Sequence, residues 1–400
     1  MIVVQKYGGT SVGSIEKIKT VAKRVVERKN RGDGVVVVVS AMGKSTDQLI
    51  DMAKQLSDTP RRRELDMLMS TGEQVSISLL SIALNEMGYE SIALTGFQAG
   101  IETDGYHTKG KIQDIDIEKV KNYLDKGKIV VVAGFQGMNE NGDIMTLGRG
   151  GSDTTAVALA AKLECVCEIY TDVDGIYTID PRLFPTARKL DTISYEEMME
   201  MASLGAGVME TRAVEIGQKF NVPIYVALSN EEWPGTYIKE FDGTMESKVI
   251  TGLSASDKDL MVTINHVPYN SKNISKVFGA LANKDINIDM ISQTAPYHGK
   301  VNVSFTAPKT DEDVILNIAK DLKNEFKAIE IDIERDITKL SVVGIGMRSQ
   351  SGVAAKTFEI LAKNDIGFKQ VTTSEIRISY TINTEDTTKA VEAIAREFNL

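Results

Sequence analysis

Four hundred residues, 42% of them hydrophobic, are enough for two or three domains with packed cores. Acidic residues outnumber basic ones, 56 to 46, and the net charge is −10 with no long basic run, which argues against nucleic-acid or anionic-membrane binding. No apolar stretch approaches the ~20 residues of a membrane span and no signal peptide precedes the first strand, so a cytoplasmic protein is expected.

Residues 1–5 read as a short buried strand. Lys6-Tyr7-Gly8-Gly9-Thr10-Ser11 follows, and Ser14 opens a run with Ile15, Ile18, Ala22, Val25 and Val26 at helical spacing. Strand, glycine turn and helix start make a place where backbone N–H groups can face an anion, and Lys6 adds a mobile positive charge. On this segment alone a phosphate site and an ordinary turn are both open readings. It is neither a P-loop nor a dinucleotide fingerprint.

Val35–Val39 is a continuous apolar run, as in a parallel strand buried on both faces. The small polar residues of 40–47, among them Ser40 and Thr46, suit a loop that wraps a small ligand. Ser70-Thr71-Gly72-Glu73 starts a helix that runs through 74–87. Glu73 in its first turn either answers the helix dipole or grips a substrate ammonium group.

Residues 129–133 form another strand. Leu147-Gly148-Arg149-Gly150-Gly151-Ser152-Asp153 then opens a helix over 154–162. Its glycines let backbone approach a ligand, and Arg149 can clamp a carboxylate through two parallel hydrogen bonds. Ser152 or Asp153 could instead cap the helix. Cys165 and Cys167 fall in one predicted strand that continues through 168–171. With three histidines in the chain and none nearby, zinc is disfavoured. Alternate positions in one strand also suit a disulfide poorly, so reduced, buried thiols are expected.

The next segment, 171–182, carries Thr171, Asp172, Tyr177 and Arg182. It could line a nucleotide pocket or be a polar loop with an Asp-Gly turn; its spacing excludes an EF-hand. Helices over 195–203 and 211–220 and a strand over 223–229 close the series. The alternation argues for an α/β sandwich around a mostly parallel sheet, with ligands beyond the carboxyl ends of strands.

After Trp233-Pro234-Gly235 and Gly243 the texture changes. Phe278, Leu281, Ala282, Asp285 and Ile286 recur 80 residues later as Phe358, Leu361, Ala362, Asp365 and Ile366. Alternating strands follow at 301–305 and 376–380. Two copies make a duplicated β-α-β-β-α-β module rather than a solenoid. No Ser-His-Asp or Cys-His set is evident. Glycine N–H groups, Lys6, an arginine and carboxylates are instead the equipment of phosphoryl transfer.

The segments 6–11, 147–153 and 171–182 resemble, nearly letter for letter, those of aspartokinases in the amino-acid kinase family, and the likeness covers essentially the whole chain. It implies a three-layer α/β/α sandwich of the amino-acid kinase type over 1–245. Two ferredoxin-like ACT modules would follow over 258–336 and 337–400, either consecutive or interleaved. The implied activity is transfer of the ATP γ-phosphoryl to the side-chain carboxylate of L-aspartate, at the entry to lysine, threonine and methionine synthesis. Mg²⁺ would arrive with ATP. The modules would sense lysine, threonine or both in a homodimer or a dimer of dimers, and no homoserine dehydrogenase is expected after Leu400.

By the same resemblance Lys6 stabilises the transferring phosphoryl group, Gly8 and Gly9 hold phosphate oxygens, and Asp153 orients catalytic groups. Arg149 would bind the substrate α-carboxylate and Glu73 its ammonium, with Ser152, Ser40 and Thr46 on its other polar groups. Thr171, Asp172, Tyr177 and Arg182 would surround ATP. Asn270, Asn287, Asp289, Gly352 and Glu375 are the effector candidates. The chain departs from the pattern where Gly205-Ala206-Gly207 replaces the usual Gly-Ala-Lys, where Glu210 replaces a histidine, and where Lys272 stands for the glycine kept as Gly352. A non-catalytic amino-acid sensor and a kinase for another acid, such as acetylglutamate, are the alternatives. The first would need a broken phosphate site, yet Lys6, Arg149 and Asp153 are present.

Overall fold

The computed structural model describes residues 1–205, 207–231, 233–240, 249–326 and 329–400. Ala206, Gly243 and the domain boundary expected at 245 lie outside them. The described residues pack as two units. The first takes Met1–Ile176, Lys189–Ser203 and the described part of Gly207–Asp242, and the second takes the remainder.

The first unit begins with β1 (Ile2–Tyr7), α1 (Ile15–Asn30), β2 (Gly34–Val39), α2 (Ser45–Leu56), α3 (Arg62–Met69) and α4 (Thr71–Glu86). Next come β3 (Ser91–Leu94), β4 (Ile101–Tyr106), β5 (Lys109–Ile115), α5 (Glu118–Asp125), β6 (Ile129–Ala133), β7 (Gln136–Met138) and β8 (Ile144–Thr146). It ends with α6 (Gly151–Leu163), β9 (Val166–Thr171), β10 (Thr192–Ile193), α7 (Tyr195–Ser203), α8 (Thr211–Lys219), β11 (Ile224–Leu228) and β12 (Thr236–Ile238).

The main sheet runs β10-β12-β11-β9-β1-β2-β6-β3. Alternate valines of β2 serve its two faces. Val35, Val37 and Val39 join one core with Ile18, Val21 and Val25 of α1 and Ile77, Leu80 and Leu84 of α4. Helices α5 and α6 cover the other face. From β1 the chain moves outward to β2 and later returns to β9 on the other side of β1. Such a reversal leaves a crevice beyond the strand ends, where ligands bind in open α/β sheets.

Several expectations change here. The strand at 224–228 does not close the series, because β12 follows and pairs with it antiparallel. Cys165 falls one residue before β9, partly exposed, whereas Cys167 is buried in it; both are free. A second sheet, β5-β4-β7-β8, was not foreseen. The helical stretch Arg62–Glu86 does reach the length and hydropathy of a membrane span, contrary to the sequence reading, but half of its apolar 18-residue window is buried inside this unit.

The second unit holds β13 (Gly252–Ser256), β14 (Asp259–Pro268), α9 (Ser271–Ala282), β15 (Asp289–Gln293), β16 (Lys300–Pro308), α10 (Glu312–Phe326) and β17 (Glu330–Glu334). Then follow β18 (Ile337–Val343), α11 (Val353–Lys363), β19 (Phe368–Thr373), β20 (Arg377–Asn383) and α12 (Thr387–Phe398). One sheet is β15-β16-β14-β17 and the other β13-β18-β20-β19. The first module is contiguous in sequence. The second takes its outer strand, β13, from upstream of the first, so the modules interleave.

Asp285 and Asp365, equivalent in the repeat, both adopt left-handed backbone, at φ 56° and 51°. Aspartate tolerates that conformation better than most residues, which gives the repeated aspartate a physical reason. The helix starts differ. Gly352, at φ 94°, precedes α11 directly, whereas Asn270 caps α9 by accepting the Lys272 N–H. Lys272 is thereby spared the conformation its glycine counterpart adopts. Residues 177–188 also pack in this unit, with Ile179 in the core beside Ile250, Leu253 and Leu340.

Candidate active site

At the carboxyl end of β1, Lys6 Nζ meets Asp153 Oδ1 at 2.5 Å, with both side chains about one-tenth exposed. Neither Ser152 nor Asp153 caps α6. The residue before the helix is Gly150, in left-handed backbone at φ 60°, and no side chain caps the end. The carboxylate of Asp153 is thus spent on Lys6, beside helix N–H groups that favour anions.

Gly9 follows Lys6 where backbone crowds backbone: a Cβ there would sit 2.7 Å from the Ala41 carbonyl, and Gly9 O accepts the Gly43 N–H at 2.9 Å. The loop after β2 is thereby held against the loop after β1. Next to it, the Ala41 N–H donates to Glu73 Oε1 at 3.0 Å, while buried Glu73 Oε2 has no partner among the described residues. Burial pushes the Glu73 carboxyl up to about 7, although the Ala41 N–H opposes the shift. A carboxylate with one oxygen bound and the other bare is prepared for a donor from outside.

These groups line one cleft of about 760 Å³, with Lys6, Ser40, Thr46, Glu73, Arg149, Ser152 and Asp153 all on its wall. Arg149 is exposed and has no protein partner among the described residues. Its loop is fixed on both sides. The Leu147 N–H donates to the Phe135 carbonyl, and Arg212 Nη1 donates to the Leu147 carbonyl at 3.0 Å. Gly150 lies against Glu210, whose Cγ would be 1.7 Å from an added Cβ. A groove of about 770 Å³ beside β4 and β5 has similar size, but it lacks a buried cation–carboxylate pair.

Gly8 donates its N–H to the Tyr170 carbonyl, and Ser229 donates its own to the Thr171 carbonyl, so the ends of β1, β9 and β11 adjoin. Thr171 and Asp172 sit there, the hydroxyl of one donating to the carboxylate of the other. They do not line the cleft. Tyr177 and Arg182 belong to the second unit, where Arg182 is paired with Asp180.

The effector candidates are spread over the second unit. Asn270 caps α9, Asn287 is exposed, Gly352 precedes α11, and Glu375 pairs with Arg348 at 3.2 Å. Asp289 bonds Lys339 at 3.1 Å.

The sequence reading missed Asp66, Thr108, Glu210 as a packing partner and Arg212. The one available signal was an aspartate on α3 among Leu65, Met67 and Met69. Among the described residues no three or more His, Cys, Asp or Glu side chains cluster to hold a metal.

A cleft at strand ends with a lysine–carboxylate pair, a free arginine and glycine turns defines an enzyme that handles anionic groups on small molecules. The amino acid kinase family profile matches residues 1–228, and ACT-domain profiles match 274–327 and 340–398. An aspartokinase of Bacillus sp. (strain MGA3) is 50% identical over 401 residues, covering 100% of this chain and 97% of its own. Aspartokinase 2 of Bacillus subtilis (strain 168) is 48% identical over 400 residues, covering 100% and 98%. The crystal structure of E. coli aspartokinase III in complex with aspartate and ADP aligns over 99% of both chains with a TM-score of 0.79. Its 24% identity bears on the fold alone. The chain belongs to the aspartokinases of the amino acid kinase family and carries ACT domains.

Proposed function

We propose that this aspartate kinase transfers the γ-phosphoryl group of ATP to the side-chain carboxylate of L-aspartate. The product is 4-phospho-L-aspartate, for lysine, threonine and methionine synthesis in a reducing cytoplasm. The observation that carries the reading is one cleft holding the Lys6–Asp153 pair, an unpartnered Arg149 and a half-satisfied Glu73.

Arg149 clamps the α-carboxylate of aspartate and Glu73 takes its ammonium, with Ser40, Thr46 and Ser152 on the remaining polar atoms. That leaves the side-chain carboxylate to attack. It is ionised at neutral pH, so it needs no general base. Lys6 offsets the charge that develops on the transferring phosphoryl, and Asp153 holds Lys6 in place. Gly8 and Gly9 keep the turn beside the phosphate oxygens bare of side chains, with the Gly9 N–H as the donor, since that of Gly8 is already given to the Tyr170 carbonyl. Thr171, Asp172, Tyr177 and Arg182 stay the candidates around ATP. The described residues do not provide a protein cage for Mg²⁺, which would be held by phosphate oxygens and water.

The ACT modules would bind lysine, threonine or both and inhibit a homodimer or dimer of dimers. ADP release by purified protein, with aspartate and with acetylglutamate as acceptors, tests the reading. Aspartate-dependent release supports it, and a folded protein that releases none is a sensor.

A further inference from the structure

Asp66 on α3 has no solvent exposure, yet every hydrogen bond of its side chain reaches outside its own helix. Thr146 Oγ1 donates to Oδ1 at 2.5 Å, and the Thr108 N–H lies 3.0 Å from both oxygens. His107 Nδ1 stands 2.7 Å from Oδ2. A buried carboxylate is tolerated only when donors surround it, so this set of donors is the reason an aspartate can stand in an otherwise apolar stretch.

Both bonded segments lead into the cleft. Thr108, in the turn between β4 and β5, lines it. Thr146 ends β8, three positions before Arg149. The two segments also touch each other, since a Cβ on Gly148 would lie 3.3 Å from the Thr108 carbonyl. Thr108 has φ 69°, a left-handed backbone that a β-branched residue adopts only under constraint. Strain of this kind persists where the surroundings over-determine it, and it gathers at ligand clamps. Asp66 supplies the constraint by accepting the Thr108 N–H.

We infer that Asp66 is a positioning residue for the acceptor substrate, joining the β4–β5 turn and the start of the Arg149 loop into one rigid wall of the cleft. The inference rests on the reading of Arg149 as the clamp on the acceptor's carboxylate, and it adds a residue that acts through that clamp. The glycine turn after β1, assigned to phosphates, makes none of these bonds. Disturbing Asp66 should therefore be felt by the acceptor and not by the nucleotide.

Asp66→Asn keeps the shape but turns an N–H₂ toward a donor. Thr146→Val removes one hydroxyl, and Thr146→Ser restores it. In steady-state kinetics on the full chain, Asp66→Asn and Thr146→Val should raise the aspartate KM about tenfold or more. The ATP KM should stay within about twofold, and Thr146→Ser should bring the aspartate KM back to within about threefold of the parent.

An unchanged aspartate KM in Asp66→Asn would overturn the assignment. So would equal losses for ATP and aspartate with a lower Tm, the mark of a purely structural bond, or a serine variant no better than the valine one. If Asp66→Asn does not fold, the Thr146 pair decides alone. A parent protein without aspartate-dependent ADP release fails the acceptor reading itself, whereas an active parent with unaffected variants fails only the role of Asp66.

Discussion

With Glu73 as the proposed partner of the substrate ammonium, folding and substrate binding pull on its carboxyl in opposite directions. Burial raises its carboxyl from 4.5 to about 7. Between those two values the folded protein holds a proton that the unfolded chain has lost. The free protein should therefore lose stability as pH rises from about 4.5 to about 7, with the full cost present above that window. Glu73→Gln removes the slope, which denaturant titrations at a series of pH values would read. Binding has the opposite sign, because an ammonium group needs the ionised carboxylate. The aspartate KM should climb as pH falls below about 7, approaching tenfold per unit, and stay flat in Glu73→Gln. A parent KM indifferent to pH would remove Glu73 from the substrate site. Lys6 acts on a different quantity. Lys6→Ala should lower kcat by about 100-fold or more and change the aspartate KM far less, since its charge matters most where phosphoryl charge moves. Near-normal turnover would end that assignment.

Among the elements, the turn from β8 into α6 is the most constrained. Gly150 combines left-handed backbone with Glu210 packed where a side chain would begin. Gly150→Ala should cost at least about 100-fold in kcat/KM for aspartate by moving Arg149 and Asp153 together. Adding Glu210→Gly removes the colliding side chain, whose Cβ alone would sit 2.5 Å from the new methyl, but not the backbone strain, so only part of the activity should return. Full activity in the single variant would show that the turn is not under constraint. This turn was legible in the sequence because its information is local: three glycines, an arginine and a helix start in a row. The same holds for β6 and α7, whose limits follow from a run of branched residues and from an amphipathic spacing. Other features were hidden by distance. Asp66 reads as a stray polar residue until Thr146, 80 positions later, arrives beside it. The strand β13 is small-residue chain whose partner, β18, lies beyond the entire first module. Three-residue strands such as β7 and β8 have too few residues to establish a period.

In the second unit, the joint between the two modules combines neutral hydrogen bonds, such as those Gln370 donates to the Met290 carbonyl and Ser292, with a buried cluster of charge. Lys339 of β18, only 6% exposed, reaches Asp259 at 3.0 Å and Asp289 at 3.1 Å across the joint, and Arg377 approaches Asp289 at 3.6 Å. Burial would raise the Asp289 carboxyl, but Lys339, the Met290 N–H and Arg377 outweigh it and hold it below the usual carboxylate range. An effector ammonium that used Asp289 would therefore compete with a cation already in place. It would favour whichever arrangement of the modules releases Lys339, and only such a difference in affinity can move an equilibrium. Two variants separate this from simple loss of a site. Asp289→Ala removes the anion, so half-inhibition by lysine should need about tenfold more of it, with uninhibited kcat near the parent's. Lys339→Met removes the competitor and leaves two carboxylates facing each other, so half-inhibition should need less lysine. Inhibition curves for both, at several aspartate concentrations, decide the matter. Equal sensitivity in the two variants would show that the charges only fasten the modules. A parent rate that neither lysine nor threonine changes would leave the modules an assembly role.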